Sequence, residues 1–171
     1  MQKLKSKKFL VKMILILLFV SVCLIYTIPL NIQQRYPMLT LDKCTGISGY
    51  YYNGTGVDFE EFSCEKNSQA FEELSSLLYE QEYRRSLRGL FPRNGARAYQ
   101  PKQGEFQWEV FFHFEDVVLP DGSVCSGEML RIQSWYGELD IHFDGDTFSC
   151  YTKNQKLWAK EVLDFIMTVS I

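Results

Sequence analysis

The segment Met13–Leu30, with the sequence MILILLFVSVCLIYTIPL, determines how the rest of the chain is organised. It carries no charged side chain, and it follows a basic flank containing Lys3, Lys5, Lys7, Lys8 and Lys12. At about 1.5 Å of rise per residue, a helix of this run spans about 27 Å, close to the apolar thickness of a bilayer. Because a basic flank stays in the cytoplasm, everything after the helix is expected outside it. We therefore predict four segments: a cytoplasmic flank (1–12), a transmembrane helix (13–30), a linker (31–38) and an extracytoplasmic domain (39–171).

Two other interpretations of this segment remain open. A cleaved secretory signal has a shorter apolar run, of about 7 to 15 residues, followed by small residues at the cleavage site. The run here is longer, and Thr27, Ile28, Pro29 and Leu30 do not form such a site. The stretch Val20–Cys23 resembles a bacterial lipoprotein box, but Val22 stands where that pattern has a small residue. The sequence favours an uncleaved anchor, and it leaves open whether the anchor is cleaved or Cys23 carries a lipid.

The composition after the anchor is that of one folded, acidic domain. The chain has 171 residues, of which 46% are apolar, so the part beyond the anchor is long enough to bury its own core. From Tyr36 onward it holds twelve Lys and Arg against twenty-one Asp and Glu. Because binding to nucleic acid requires cationic side chains that neutralise phosphates, this balance argues against a nucleic-acid partner.

Hydrophobic periodicity predicts an α+β fold. In Phe106–Val118 apolar residues occupy alternate positions, which is the clearest strand signal in the chain. Helical spacing predicts a helix over 68–81, capped by Asn67 or Ser68, and a last helix capped by Asn154. We expect one antiparallel sheet with both helices packed on a single face. The other predicted strands are 44–52, 58–64, 129–135, 138–143 and 146–151.

Four cysteines fall in the part of the chain that is expected to be exported. An even number of cysteines in an oxidising compartment favours two disulfides. If a tight turn joins the first two strands, Cys44 lies opposite Cys64, which leaves Cys125 to pair with Cys150. The alternative is free buried thiols. A zinc site is disfavoured because no Cys-x-x-Cys pair is present.

The arginines between residues 84 and 97 form the basic cluster of the domain. Guanidinium groups pair bidentately with phosphates and carboxylates, so Arg84, Arg85 and Arg88 are our candidates for binding an anionic polymer, a lipid head group or an acidic partner. The competing interpretation is internal pairing with the acidic strands, since residues 105–146 hold ten acids and one arginine.

The signals for catalysis or for a metal are weak. His113 shares a strand with Glu109 and Glu115, which allows an acid–base pair and an extracytoplasmic hydrolase as an alternative function. No nucleophile-elbow pattern or phosphate-binding glycine loop accompanies it. Alternating acids over 140–146 would suit a divalent ion only if the strand were continuous, and Asp144-Gly145 predicts a turn. We expect no cofactor and no metal.

The organisation resembles that of uncharacterised small membrane-anchored extracytoplasmic proteins of Gram-positive bacteria. The resemblance lies in the lysine-flanked anchor, the small acidic α+β domain, and the segments Phe71–Leu74 and Tyr83–Leu87. It is one of architecture, and it implies membrane location without implying an activity. We expect a non-enzymatic domain that binds an envelope protein or an anionic polymer, with a sensor or immunity-type protein as a further alternative.

Overall fold

A computed structural model describes residues 2–52, 59–87, 107–135 and 137–170, with side chains from Phe9 onward. It contains four α-helices and seven strands in these ranges, together with a short 3-10 helix at Leu41–Lys43. The helices are α1 (Gln2–Tyr26), α2 (Ile32–Arg35), α3 (Gln69–Tyr79) and α4 (Gln155–Val169). The strands are β1 (Cys44–Tyr52), β2 (Phe59–Glu65), β3 (Arg84–Arg85), β4 (Gln107–Val118), β5 (Val124–Trp135), β6 (Glu138–Phe143) and β7 (Asp146–Tyr151).

The seven strands form one antiparallel sheet in the order β2-β1-β4-β5-β6-β7-β3. Four consecutive strands, β4 to β7, are joined as neighbours, which is the arrangement that short turns favour. The predicted α+β class with an N-terminal apolar helix is confirmed.

Alternation along the strands gives the sheet a buried inner face. On β4, Trp108, Val110, Phe112 and Phe114 are fully buried, as the predicted strand pattern required. Val110 pairs with Ile132 on β5, so the same buried row continues across the sheet. The inner face is therefore one continuous apolar surface that needs a covering layer.

Helices α3 and α4 supply that layer. Ser68 caps α3 by accepting a hydrogen bond from the Phe71 backbone N–H at 3.1 Å. The indole of Trp108 donates to the Ala159 carbonyl of α4, and the indole of Trp158 donates to the Leu77 carbonyl of α3, both at 3.0 Å. These bonds satisfy the buried indole N–H groups and connect both helices with the sheet.

The apolar helix is shorter at its C-terminal end than the sequence predicted. Helix α1 ends at Tyr26 rather than at Leu30, and the Thr27 hydroxyl bonds the Cys23 carbonyl in its last turn. Pro29 cannot continue the helical hydrogen-bond ladder. Leu30 instead forms an antiparallel bridge with Tyr83, through N–H···O bonds of 3.2 and 3.0 Å.

The prediction that residues 31–38 form a linker is wrong. Asn31 caps α2 through a capping box with Gln34, and Ile32 and Tyr36 are buried in the core together with the following Leu39. Burial of these apolar side chains in the core removes them from water and stabilises the domain. Residues 31–39 are therefore part of the domain, which begins directly after α1.

Two other local predictions needed correction. Strand β5 begins at Val124 instead of residue 129, which extends the β4–β5 hairpin. Asn154 precedes α4, but its backbone is left-handed (φ 55°) and its side chain makes no cap bond.

Candidate functional site

Helix α1 is the most exposed apolar element of the described chain. The stretch Phe9–Tyr26 is long and apolar enough to cross a membrane, and none of it is buried inside the protein. Leu15, Leu17 and Phe19 are each about three-fifths exposed. An apolar helix without protein cover is unfavourable in water and favourable in lipid.

Where α1 ends, an aromatic and cationic cluster joins it to the sheet. The guanidinium carbon of Arg85 lies 5.5 Å from the ring centre of Tyr26, the last residue of α1, and 4.4 Å from that of Phe148 on β7. Arg85 also pairs with Asp146 at 2.9 Å. A cation over an aromatic ring is attracted by the ring's quadrupole, so Arg85 binds both the helix and the sheet.

A second arginine belongs to the same cluster. Arg35 at the end of α2 places its guanidinium carbon 4.8 Å from the Phe148 ring centre and donates to the Tyr83 carbonyl at 3.2 Å. The Tyr36 hydroxyl donates to Asp146 at 3.2 Å. Burial, followed by the nearby charge of Arg85, lowers the pKa of Arg35, while burial and Asp146 raise that of Tyr36.

The predicted arginine site is therefore only partly available to a partner. Arg84 is exposed, whereas Arg85 is committed to Asp146 and to the two rings, with a quarter of its side chain exposed. This is the internal pairing with the acidic strands that the sequence left open. Arg88 lies outside the described residues.

The outer face of the sheet carries a network of hydrogen-bonded polar side chains. Glu109 on β4 is 4% exposed; it accepts a hydrogen bond from the Tyr50 hydroxyl and pairs with Arg131 at 3.1 Å. Burial, and then the bond to Glu109, raise the pKa of Tyr50 to about 12. A buried carboxylate requires a cation and donors, and Arg131 and Tyr50 provide them.

The network extends to His142 on β6. Its Nδ1 lies 3.1 Å from an Arg131 nitrogen and 2.8 Å from the Thr147 hydroxyl. Because a guanidinium only donates, Nδ1 accepts and the proton sits on Nε2, which has no acceptor among the described residues. Burial, followed by the charge of Arg131, lowers the pKa of His142.

This lowered pKa predicts an acid-sensitive fold. An unfolded histidine titrates near pH 6.5, so as the pH falls the unfolded state takes up a proton before the folded state does. The free energy of unfolding should therefore decrease as the pH falls from about 6.5 to the lower pKa that His142 has in the folded protein. We expect His142→Gln to reduce this loss. The measurement is the urea midpoint of the full-length protein in neutral detergent at neutral and mildly acidic pH, and equal losses in both proteins would contradict it.

Two concavities open on this part of the molecule. One has a volume of about 320 Å³ and is lined by Arg131, His142 and Thr147, and the other has a volume of about 700 Å³ and is lined by Ser48 and Tyr50. Phe111 and Glu128 belong to both linings, so the two are adjacent. Acidic, cationic, hydroxyl and aromatic groups thus converge where a ligand has room to lie.

The structure does not bring the predicted catalytic pair together. His113 is half-buried and its Nε2 lies 2.7 Å from the Ser48 hydroxyl. Glu109 lies two positions away on the same face, with Phe111 between them, and is held by Tyr50 and Arg131. Glu115 is exposed, beside a register shift in the β4–β5 pairing. Pairing of His113 with Glu109 is therefore wrong, because four residues along a strand separate the two positions by about 13 Å.

The predicted disulfides are absent, and all five cysteines of the chain are free thiols. In the β1–β2 hairpin Cys64 pairs with Ile47, not with Cys44, which pairs across to Phe114 on β4. Cys125 on β5 pairs with Val117 on β4, whereas Cys150 on β7 pairs with Leu139 on β6. Strands β5 and β7 are not neighbours, so Cys125 and Cys150 do not lie opposite each other. The predicted register, with Cys44 opposite Cys64, was also wrong.

The alternating acids also separate as the turn signal implied. Asp140 and His142 lie on β6, Asp144 occupies the turn with φ 45°, and Asp146 starts β7. Asp146 is engaged by Arg85 and Tyr36, so the four side chains do not share one strand face.

Comparison of the chain with protein-family models, curated proteins and solved structures found no match.

Sequence reasoning missed the parts of the site that depend on long-range packing. Arg35 and Tyr36 were assigned to a linker, although the apolar spacing of Ile32, Tyr36 and Leu39 was a signal of helical burial. Arg131 was the isolated cation among ten acids, a pattern that pointed to an ion pair within the sheet.

Proposed function

We propose that the protein is a single-pass membrane protein whose C-terminal α+β domain lies outside the cytoplasm and binds a ligand or partner there. The observation that carries the proposal is the apolar surface of α1 from Phe9 to Tyr26, none of which is buried inside the protein. A bilayer is the environment that covers such a helix, and the lysines before it favour a cytoplasmic N-terminus.

The outer face of the sheet is the surface that we assign to binding. Helices α3 and α4 cover the inner face, while the outer-face residues Phe111 and Glu128 line both concavities; the larger concavity also reaches Val169 at the end of α4. Arg131 keeps 41% of its side chain exposed, and Thr147 is exposed beside it. These donors favour a ligand that carries hydrogen-bond acceptors. The same linings hold four carboxylates, which disfavour a densely anionic ligand and favour a protein or envelope component that also carries cationic groups: Glu61, Glu128, Asp144 and Asp146.

Site-specific photo-crosslinking on intact cells tests this assignment. A photoreactive residue at Thr147 should capture a partner, whereas the same residue at the exposed Lys156 of α4 should not. Glu128→Arg, which reverses an exposed charge in both linings, should change the yield at least about fivefold if the ligand is charged. Its matched control is Glu161→Arg on α4. Equal capture at positions 147 and 156 would contradict the assignment, and no effect of Glu128→Arg would exclude a charged ligand.

A hydrolase is the second candidate, and one contact favours it. The Ser48 hydroxyl lies 2.7 Å from His113 Nε2, the distance at which a histidine acts as the base of a serine nucleophile. A fluorophosphonate probe that labels the wild-type protein but not Ser48→Ala would support this function, and an unlabelled wild type would exclude it.

A further inference from the structure

We propose that Arg35 and Arg85 form a docking surface for the phosphate groups of anionic phospholipids in the leaflet that faces the domain. The inference rests on the membrane anchoring proposed above, and it identifies what this edge of the domain contacts there.

The contact between Tyr26 and Arg85 sets the depth of the cluster. Tyr26 is the last residue of the apolar helix, a position where tyrosine typically lies among lipid head groups. The Arg85 guanidinium carbon is 5.5 Å from its ring centre. The backbone bridge between Leu30 and Tyr83 holds β3 beside the helix end as well. Arg85 therefore lies beside the end of the apolar helix, where we place the lipid phosphates.

The cluster has more cationic than anionic groups in direct contact. Both guanidinium carbons lie within 5 Å of the Phe148 ring centre, at 4.8 Å for Arg35 and 4.4 Å for Arg85. Among the described residues, the one carboxylate that contacts the pair is Asp146. A phosphate would supply a second anionic partner.

Both arginines are partly exposed, and a phosphate would have to be bound by their terminal nitrogens, because the Nε atom of each is buried. Each guanidinium has five N–H donors, and the hydrogen bonds of this pair to Tyr83 and Asp146 occupy only part of them. Arg84 adds an exposed positive charge at the next position. The acids that flank the cluster in sequence, Glu82 and Asp144, are exposed, where salt screens them.

The acidic charge of the rest of the domain means that contact with an anionic membrane requires a local cationic group. Acidic residues outnumber basic ones by nine from Tyr36 onward, so an anionic membrane surface repels the domain as a whole. Each arginine at such a surface favours an anionic lipid by a factor of about five. The cluster at the end of α1 is placed where this attraction offsets the repulsion.

The test compares lipid selectivity of the full-length protein in phosphatidylcholine vesicles, with spin-labelled phosphatidylglycerol or phosphatidylcholine as the probe lipid. The variants are Arg85→Gln, Asp146→Asn and, as a control on α4, Lys156→Gln. Arg85→Gln and Asp146→Asn both break the same ion pair, but they change the charge of the cluster in opposite directions. A purely structural effect would move both variants the same way.

We expect the wild-type protein and Lys156→Gln to prefer phosphatidylglycerol about fivefold, Arg85→Gln to lose most of that preference, and Asp146→Asn to increase it by about another fivefold. No preference in the wild type, or a decrease in both ion-pair variants, would overturn the proposal. A preference abolished by excess inorganic phosphate at constant ionic strength would assign the site to a free ion and also overturn it. If alkali strips the wild type from the vesicles, membrane anchoring itself fails; a protein that stays inserted without selectivity refutes the lipid docking alone.

Discussion

Replacing Gly49 by alanine is expected to destabilise the folded domain by about 3 kcal/mol or more, because the new methyl group has no space. A Cβ at this position would lie 2.1 Å from the Glu109 carbonyl oxygen of β4 and 2.7 Å from the Phe62 ring of β2. The oxygen belongs to the backbone of a neighbouring strand, so relief requires the central strands to separate. For a domain with a total stability of about 5 to 15 kcal/mol, this is a large fraction.

Gly46→Ala in the same strand is the matched control. Its Cβ would lie 3.4 Å from the Cys64 carbonyl oxygen, which is an ordinary contact distance. We expect it to cost less than about 1 kcal/mol. Urea unfolding of the full-length protein in neutral detergent, followed by tryptophan fluorescence, measures both variants. Equal stability of the two would show that β1 does not approach β4 this closely.

The second large effect is expected from arginines placed in α1. Leu17→Arg combined with Leu18→Arg should prevent stable insertion, because each arginine near the centre of a membrane helix costs about 3 kcal/mol. The wild-type protein should remain in the membrane pellet after alkaline extraction, and the double variant should leave it.

Leu157→Arg combined with Met167→Arg on α4 is the control for this experiment. Leu157 is 68% exposed in the protein and Leu17 is 59% exposed, so burial within the protein does not distinguish them. Only a bilayer around α1 makes the two double variants differ. If both remain in the pellet, or if alkali extracts the wild type, α1 does not span the membrane.

The strands and core were predictable because their signal is local. Trp108, Val110, Phe112 and Phe114 alternate along β4, and a period of two places them on one face irrespective of the neighbours. Ser68 likewise indicated the start of α3, since a hydroxyl before an apolar helical stripe can accept a hydrogen bond from a free backbone N–H of the first turn.

The end of the anchor and the start of the domain were not predictable in the same way. Hydropathy extended the helix to Leu30, but the position where a chain leaves a helix also depends on what it can pair with afterwards. Leu30 pairs with Tyr83, 53 positions later, and Ile32 packs in the core on which the sheet is built. Short-range patterns carry no information about such partners.

Strand register was the other property beyond local signals. Cys44 was expected opposite Cys64, but Ile47 takes that place, and a register shift between Cys44 and Gly46 alters the pairing with β4. The same limit applies to the outer face, where Glu109, Arg131 and His142 come from three adjacent strands. Their contact depends on the pairing of β4 with β5 and of β5 with β6.

The thiol of Cys125 offers the most direct measurement of whether the domain lies outside the cytoplasm. It is a half-exposed free thiol on β5, while Cys44, Cys64 and Cys150 are buried. A membrane-impermeant maleimide added to intact cells should label the wild-type protein with or without prior reduction, and it should not label Cys125→Ser. Labelling that appears only after the membrane is permeabilised would place the domain in the cytoplasm and contradict the account.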